Sequence, residues 1–113
     1  MSGSSKVVVI TGCSSGFGEG AVKAFAGKGY RVWGTLRDAQ GRNAAKKAAL
    51  EAYSREVSVI DMDVTDDASV AAAFERILAQ GPVDVLINNA GVMYLGITEA
   101  FSIAQAKEQM ETN

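Results

Sequence analysis

Histidine is absent from the 113 residues, and cysteine and proline each occur once. Without histidine or paired cysteines there is no convincing zinc site, and the single Cys13 cannot form an internal disulfide. No apolar run approaches the length of a membrane span, and residues 1–5 lack the apolar core of a signal peptide. The formal net charge of -2 lacks the positive excess that binding to nucleic acid needs. We therefore expect a cytoplasmic chain with no metal, membrane or nucleic-acid partner.

Strand-like and helix-like segments alternate along the chain. Val7 to Ile10 is an unbroken β-branched run, typical of a parallel strand buried on both faces. The predicted strands are 6–11, 31–36, 57–62 and 83–87, and the predicted helices are 18–27, 42–55, one that Asp66 caps and Gly81-Pro82 ends, and 102–113. This alternation predicts one α/β domain over residues 1–113, a Rossmann-like doubly wound parallel sheet with strand order 3-2-1-4 and helices on both faces.

A glycine-rich turn joins the first strand to the first helix. It reads Thr11-Gly-Cys-Ser-Ser-Gly-Phe-Gly18, with glycines at 12, 16 and 18. The first N–H groups of a helix have no partner within it and, with the helix dipole, favour an anion such as pyrophosphate. Alone, such a turn is explained as well by tight packing as by nucleotide binding. No Gly-Lys-Ser/Thr follows, which excludes a magnesium-nucleotide hydrolysis loop.

Two further motifs follow predicted strands. Asp61-Met-Asp-Val-Thr-Asp66 follows the third strand, and Asn88-Asn-Ala-Gly91 follows the fourth. Each has a purely structural explanation, because asparagine and glycine favour turns and Asp66 is a good helix cap. With the glycine-rich turn, however, they lie at the carboxyl ends of neighbouring parallel strands, where sheets of this kind bind ligands. The combination indicates one ligand site at this edge of the sheet.

Together these motifs resemble the cofactor-binding half of the short-chain dehydrogenase/reductase family. The resemblance rests on Thr11 to Gly18, Asp63-Val64 and Asn88 to Gly91 in this order, and it covers essentially the whole chain. It implies an oxidoreductase that binds a nicotinamide dinucleotide and transfers a hydride to or from a small-molecule alcohol or carbonyl substrate. The implied cofactor-binding residues are Gly12, Ser14, Ser15, Gly16, Phe17 and Gly18 around the pyrophosphate, Asp63 and Val64 beside the adenine, and Asn89, Ala90 and Gly91 on the nicotinamide side.

The residues after the second strand bear on the choice between NADP and NAD. An NAD site needs a carboxylate there for the adenosine ribose, whereas a 2′-phosphate needs a cation. The position that holds the acid in NAD-preferring relatives is Leu36 in this sequence, and Arg37 follows it. We therefore predict NADP. Asp38 leaves NAD open, because a shift of one residue would bring its carboxylate near the ribose, and both charges also have the plain interpretation of solvated side chains.

Three other residues near the glycine-rich turn have structural interpretations. A helix N-terminus lowers a thiol pKa, but Cys13 is better interpreted as a small residue packed beneath the turn. Phe17 and Trp33 are interpreted as core or helix-packing side chains.

The stretch from Gly12 to Gly16 also resembles family members that act on steroids and retinoids.

The catalytic residues that the resemblance implies are not found in this sequence. They are a tyrosine as general acid/base, a lysine four residues later that lowers its pKa, and a serine that polarises the substrate oxygen. None of the three tyrosines has a lysine four residues later. Asn113 matches the asparagine of the family's proton relay and is the one catalytic candidate. We therefore expect the first half of an enzyme, inactive alone, with an exposed and self-associating edge on its fourth strand.

Two alternative functions stay open. A non-catalytic dinucleotide-binding or regulatory module would carry the same motifs, and a flavodoxin-like domain would place another phosphate ligand at the same turn. Family enzymes commonly pair through helices, so we expect a homo-oligomer.

Overall fold

The computed structural model describes residues 6–14 and 16–88, together with the backbone of residues 91–94. Strands and helices alternate until two strands close the series. They are β1 (Val7–Ile10), α1 (Gly16–Gly27), β2 (Arg31–Leu36), α2 (Ala44–Tyr53), β3 (Val57–Asp61), α3 (Asp67–Ala79), β4 (Val85–Asn88) and β5 (Gly91–Tyr94). None of the helices in these ranges is long and apolar enough to cross a membrane.

The strands form one sheet in the order β3-β2-β1-β4-β5. β1 pairs in parallel with both β2 and β4, and β2 pairs in parallel with β3. The predicted order 3-2-1-4 is confirmed. The chain therefore winds outward from β1 in one direction and then reverses to β4, which opens a crevice at the carboxyl ends of these two strands.

Helices cover both faces of the sheet, because successive residues of a strand point to opposite sides. On β1, Val8 and Ile10 belong to one buried cluster that includes Val22 of α1 and Leu50 of α2. Val9 belongs to a second buried cluster that includes Phe74 of α3. β1 is therefore buried on both faces, as its β-branched run predicts.

β5 is an addition to the predicted sheet. It pairs antiparallel with β4, from Val85 opposite Tyr94 to Asn88 opposite Gly91. The edge of the fourth strand, predicted to be exposed, is instead paired with β5. Gly91, the first residue of β5, belongs to the motif interpreted as cofactor-binding, and that interpretation predicts no strand here.

α2 is shorter than the predicted helix over 42–55. The N–H of Arg42 donates to the carboxylate of Asp38, and the N–H of Asn43 donates to the carbonyl oxygen of Asp38. The turn after β2 therefore uses two residues that were predicted to begin the helix. This turn carries Arg37 and is described further below.

α3 begins where the sequence predicts. The side chain of Asp66 accepts hydrogen bonds from the N–H groups of Ala68 and Ser69, which have no acceptor within the helix. The predicted cap is therefore confirmed.

β3 forms one outer edge of the sheet, and a side chain of α2 covers part of it. The N–H of Val59 donates to the carboxylate of Glu51 at 3.0 Å, and Lys47 contacts the other oxygen of that carboxylate at 2.9 Å. Partial burial raises the pKa of Glu51, but the hydrogen bonds from Lys47 and Val59 outweigh it and hold the pKa below its ordinary value. One of the backbone donors on this edge is therefore occupied from within the chain.

Candidate functional site

The carboxyl ends of the central strands are joined by backbone hydrogen bonds. Beyond β1, the N–H of Thr11 donates to the carbonyl of Ile87 in β4, and the N–H of Cys13 donates to that of Thr35 in β2, both at 3.0 Å. These bonds fix the start of the glycine loop, the segment from Gly12 to Gly18, between the ends of two neighbouring strands. The glycine loop lies in the crevice where the winding of the sheet reverses.

The three glycines of the glycine loop meet different requirements. Gly12 has a φ of 68°, in the left-handed region that favours glycine. A Cβ on Gly18 would meet the carbonyl oxygen of Gly12 and would lie 2.8 Å from the Cα of Cys13, a distance that no real Cβ tolerates. A Cβ on Gly16 would meet none of the residues that the structure describes within 4 Å. Internal geometry therefore explains Gly12 and Gly18, whereas the bare backbone of Gly16 faces open space that a pyrophosphate could enter.

The start of α1 offers N–H groups to an anion beside Gly16. The first N–H groups of a helix have no intrahelical acceptor, and α1 begins at Gly16 itself. Glu19, in the first turn, forms an ion pair with Lys23 at 3.4 Å, which offsets its charge. The glycine loop therefore fits a pyrophosphate through its open backbone and through the positive end of the helix dipole. Ser14 is exposed within the loop, and Ser15 lies outside the described residues.

Cys13 is buried beneath the glycine loop, as its structural interpretation predicts. Its thiol donates to the carbonyl oxygen of Ile10 at 3.1 Å, and the side chain is 1% exposed. Burial raises the pKa of the Cys13 thiol to about 11, although the hydrogen bond with the backbone of Thr35 lowers it slightly. The thiol is therefore protonated at neutral pH, and its role is in packing.

We expect the Cys13 thiol to be unreactive in the folded chain. Near neutral pH, a pKa that is two units above the ordinary value reduces the ionised fraction about a hundredfold, and burial also excludes the reagent. Alkylation by iodoacetamide, followed by mass spectrometry, should therefore be at least about a hundredfold slower in the native chain than in denaturant. Equal rates in the two conditions would contradict the burial of this thiol.

The two aromatic side chains interpreted as packing residues differ. Trp33 is half-buried and packs against the cluster around Phe74, as predicted. Phe17 is 69% exposed, so its interpretation as a core or helix-packing residue is wrong. The reason is its place in the first turn of α1, on the side of the glycine loop that leads to solvent rather than to the sheet. Exposure there agrees with its inclusion among the candidate cofactor-binding residues.

Asp63 follows β3 and is held as a carboxylate. Its Oδ1 accepts hydrogen bonds from the hydroxyl of Thr65 at 2.7 Å and from the N–H of Thr65 at 3.0 Å. These bonds, first that of the hydroxyl, hold the pKa of Asp63 below its usual range, and the positive charge of Arg37 adds to the effect. The adjacent Val64 is partly buried against the second core cluster. Asp63 therefore presents a charged hydrogen-bond acceptor at the sheet edge on the side of Arg37.

Arg37 and Asp38, which follow β2, face different surroundings. Arg37 is exposed, and its carbonyl oxygen accepts a hydrogen bond from the side-chain amide of Asn43 at 2.6 Å. Asp38 has a φ of 53°, and its carboxylate accepts a hydrogen bond from the N–H of Arg42 at 3.0 Å. The Asp38 carboxylate is therefore engaged within its own turn, and it is exposed there, as its interpretation as a solvated side chain predicts.

The motif after β4 is described only in part. Asn88 is buried at the last position of β4, and Gly91 begins β5 opposite to it. Asn89 and Ala90 lie outside the described residues, as does Asn113. The placement of Asn88 agrees with a role of this motif in stabilising the central sheet.

Comparison with known families decides the class of the chain. The family model described as short chain dehydrogenase matches residues 6–113. The chain belongs to the short-chain dehydrogenase family. Among relatives of this short-chain dehydrogenase chain, human retinol dehydrogenase 8 is 40% identical over 116 residues, covering 100% of this chain and 37% of the relative. Human 17-beta-hydroxysteroid dehydrogenase type 1 is 39% identical over 112 residues, covering 95% of this chain and 34% of the relative. The chain thus spans little more than a third of the length of these relatives.

Solved structures similar to this short-chain dehydrogenase chain contain different nicotinamide dinucleotides. The 3-ketoacyl-(acyl-carrier-protein) reductase from Brucella melitensis, complexed with NADH, has a TM-score of 0.63 at 36% identity, over 72% of this chain and 32% of that chain. The blue fluorescent protein from a metagenomic library, in complex with NADPH, has a TM-score of 0.64 at 31% identity, over 95% of this chain and 50% of that chain. The shared fold accommodates both dinucleotides, so the choice between them must come from individual residues.

Asp61 is a site residue whose contact the sequence does not reveal. It ends β3, and its Oδ1 accepts a hydrogen bond from the N–H of Ala39 at 2.8 Å. The bond joins the turn after β2 to β3. An aspartate at the end of a strand has no spacing pattern that points to an acceptor role for a backbone N–H in another loop, so only the folded chain identifies the pair.

Proposed function

We propose that the chain is the NADP(H)-binding part of a short-chain oxidoreductase that transfers a hydride between nicotinamide and an alcohol or carbonyl substrate. One observation carries the proposal: the backbone of Gly16 is open to solvent at the start of α1, while Gly12 and Gly18 are explained by internal geometry. A bare backbone beside a helix N-terminus suits the close approach of a pyrophosphate. Membership of the short-chain dehydrogenase family supports the oxidoreductase class.

Each part of the dinucleotide has candidate partners along the sheet edge. The glycine loop would hold the pyrophosphate, Arg37 the 2′-phosphate, and Asp63 with Val64 the adenine. Asn89, Ala90 and Gly91 would line the nicotinamide side. When bound, the dinucleotide supplies the hydride donor or acceptor, while the residues of this chain bind and orient it.

The preference for NADP over NAD rests on the residues after β2. Leu36 is buried and uncharged at the position where an NAD site would carry its acid, and the exposed Arg37 follows. The carboxylate of Asp38 already accepts a hydrogen bond from the backbone N–H of Arg42. Because this carboxylate is engaged within its own turn, NADP is favoured over NAD. A guanidinium is well suited to a phosphate because it offers parallel N–H donors.

The substrate class is proposed from the relatives. Their names point to retinol and to a 17-beta-hydroxysteroid, which are apolar alcohols, so we propose an apolar alcohol or the corresponding carbonyl compound for the whole enzyme. The sequence has no tyrosine followed four residues later by a lysine, and we propose that residues 1–113 alone bind cofactor without turning it over. A cytoplasmic location and homo-oligomeric assembly stay predictions.

Titration of the chain with NADPH, NADH and flavin mononucleotide tests the proposal. We expect NADPH to bind most tightly, and Arg37→Ala to weaken NADPH binding by roughly tenfold while leaving NADH unchanged, because only NADPH carries the 2′-phosphate. Arg55→Ala, which removes an exposed arginine from the turn before β3, is the matched control and should change neither affinity. Tighter NADH binding would overturn the NADP assignment, and tighter flavin binding would overturn the nicotinamide assignment.

A non-catalytic binding module would share the NADPH result, but a serine and a Tyr-x-x-x-Lys encoded after residue 113 would favour the enzyme.

A further inference from the structure

The turn between β2 and α2 is held together by its own hydrogen bonds. Asp38, near the start of the turn, lies in the left-handed region, which aspartate tolerates better than most residues. The carbonyl oxygen of Asp38 accepts hydrogen bonds from the N–H of Gly41 at 3.2 Å and from the N–H of Asn43 at 3.0 Å. The carboxylate of Asp38 accepts one from the N–H of Arg42 at 3.0 Å. The side-chain amide of Asn43 donates to the carbonyl oxygen of Arg37 at 2.6 Å. We call residues 37–43 the selector turn, because they carry both charges that bear on the choice of dinucleotide.

Gly41 leaves room for the Asp38 carboxylate inside the selector turn. A Cβ on Gly41 would lie 2.6 Å from Oδ1 and 3.0 Å from Oδ2 of Asp38. Any larger residue at this position must therefore displace that carboxylate, since a short side chain moves more easily than the backbone. Asp38 and Arg37 are both exposed, so the displaced carboxylate would remain on the solvent-facing surface that carries Arg37.

Asp61 fixes the selector turn to the sheet from outside. Its carboxylate accepts the N–H of Ala39 at 2.8 Å, and Ala39 is buried at 1% exposure. Asp61 belongs to β3, whose backbone pairs with Leu36 immediately before the turn. A hydrogen bond to a carboxylate is stronger than one between neutral groups, so this contact is a firm anchor for a turn that has few core residues of its own.

We propose that Asp61 and Gly41 are positioning residues for the choice between NADP and NAD. Asp61 holds the selector turn so that Arg37 lies where a 2′-phosphate would bind, and Gly41 leaves room for the Asp38 carboxylate to stay at the N–H of Arg42, away from that phosphate. The inference rests on the proposed NADP site, and it explains how a sequence with adjacent opposite charges, Arg37 and Asp38, still favours a phosphate.

The anchor is tested with adenosine 2′,5′-bisphosphate and adenosine 5′-monophosphate, which differ only in the 2′-phosphate. The measured quantity is the ratio of their dissociation constants, determined by calorimetry for each variant. We expect Asp61→Ala to reduce the preference for the bisphosphate by roughly three- to tenfold, and Asp61→Asn, whose side-chain oxygen still accepts from Ala39, to retain most of it. If Asp61 contributed only to folding, its replacement would not change this ratio, because loss of folded protein weakens the binding of both nucleotides equally.

The same variants distinguish positioning from simple charge. If Asp61 only repelled the phosphate, both Asp61→Ala and Asp61→Asn would strengthen bisphosphate binding, and that result would overturn its role as an anchor. Glu75→Ala removes one exposed carboxylate from α3, which does not contribute to the selector turn, and it controls for net charge.

The role of Gly41 is tested by a pair of variants. Gly41→Ala should reduce the preference for the bisphosphate by roughly threefold or more, because the displaced Asp38 carboxylate then repels the phosphate. The double variant Gly41→Ala with Asp38→Asn should restore the preference, because asparagine also tolerates the left-handed region and carries no charge. An unchanged ratio in Gly41→Ala, or no recovery in the double variant, would overturn this part of the inference.

Failure of this inference and failure of the proposed function give different results. If the unaltered chain binds both nucleotides equally, the NADP site is wrong and the inference fails with it. If the unaltered chain prefers the bisphosphate but none of the variants changes the ratio, the NADP site stands and the positioning roles alone are wrong.

Discussion

Gly18→Ala should lower the free energy of unfolding by about 2 to 3 kcal/mol, the upper range of what overpacking a close contact costs. The added methyl group would meet the carbonyl oxygen of Gly12 and the Cα of Cys13, and both are backbone atoms. A backbone contact is not relieved by a rotamer change, so α1 must move away from the glycine loop. The loss is measured by urea unfolding of the two chains under the same conditions.

Gly20 supplies the matched control for Gly18. It lies one half-turn further along α1, and a Cβ there would have no described residue within 4 Å. Gly20→Ala should therefore stabilise the chain by roughly 0.5 to 1 kcal/mol, because alanine loses less backbone entropy than glycine when a helix forms. If both substitutions changed stability by the same amount, the close packing of Gly18 would not be the cause.

Gly16→Val should have the opposite profile, with a large effect on binding and a small one on stability. Valine fits the described part of the free chain, because none of its residues lies within 4 Å of the added Cβ, but it fills the space in front of the helix N-terminus. We expect NADPH binding to weaken by at least roughly tenfold, since the pyrophosphate loses charge-assisted hydrogen bonds to the backbone. The free energy of unfolding should change by less than about 1 kcal/mol. Calorimetric titration and urea unfolding of the same preparation measure both quantities.

The control for this prediction is Gly20→Val on the same helix. It introduces the same side chain beyond the glycine loop and should leave NADPH binding unchanged. Normal NADPH affinity in Gly16→Val would place the pyrophosphate elsewhere and would contradict the assignment of the loop. Together, the Gly16 and Gly18 variants separate the part of the glycine loop that holds the fold from the part that meets a ligand.

The strand order and both faces of the sheet could be predicted because they depend on patterns of whole segments. Val7 to Ile10 is β-branched and apolar at every position, which is typical of a strand covered on both sides. Helix-length segments between such strands force right-handed crossovers, and these leave few possible orders. The cap at Asp66 could also be predicted, because it needs only local chemistry.

The features that could not be predicted depend on single contacts or on the exposure of one side chain. The Asp38 carboxylate lies so close to Gly41 that a Cβ there would meet it, and the turn is joined to β3 by the hydrogen bond from Ala39 to Asp61. Phe17 has the composition of a core residue, yet its position in the first turn of α1 exposes it. In each case the chemistry of the residue is compatible with two environments, and only the fold selects one of them.

Glu51 of α2 bears on whether another chain can add a strand to the edge of the sheet at β3. An outer strand with free backbone donors is a template on which another chain can add a strand, and repeated addition leads to fibres. At Val59 the incoming strand would have to displace a carboxylate that is also bound to Lys47. Because the pKa of Glu51 lies below its ordinary value, this block persists in mild acid, where an unpaired glutamate would begin to be protonated. At Val59, therefore, a residue of α2 occupies the backbone donor that an added strand would need.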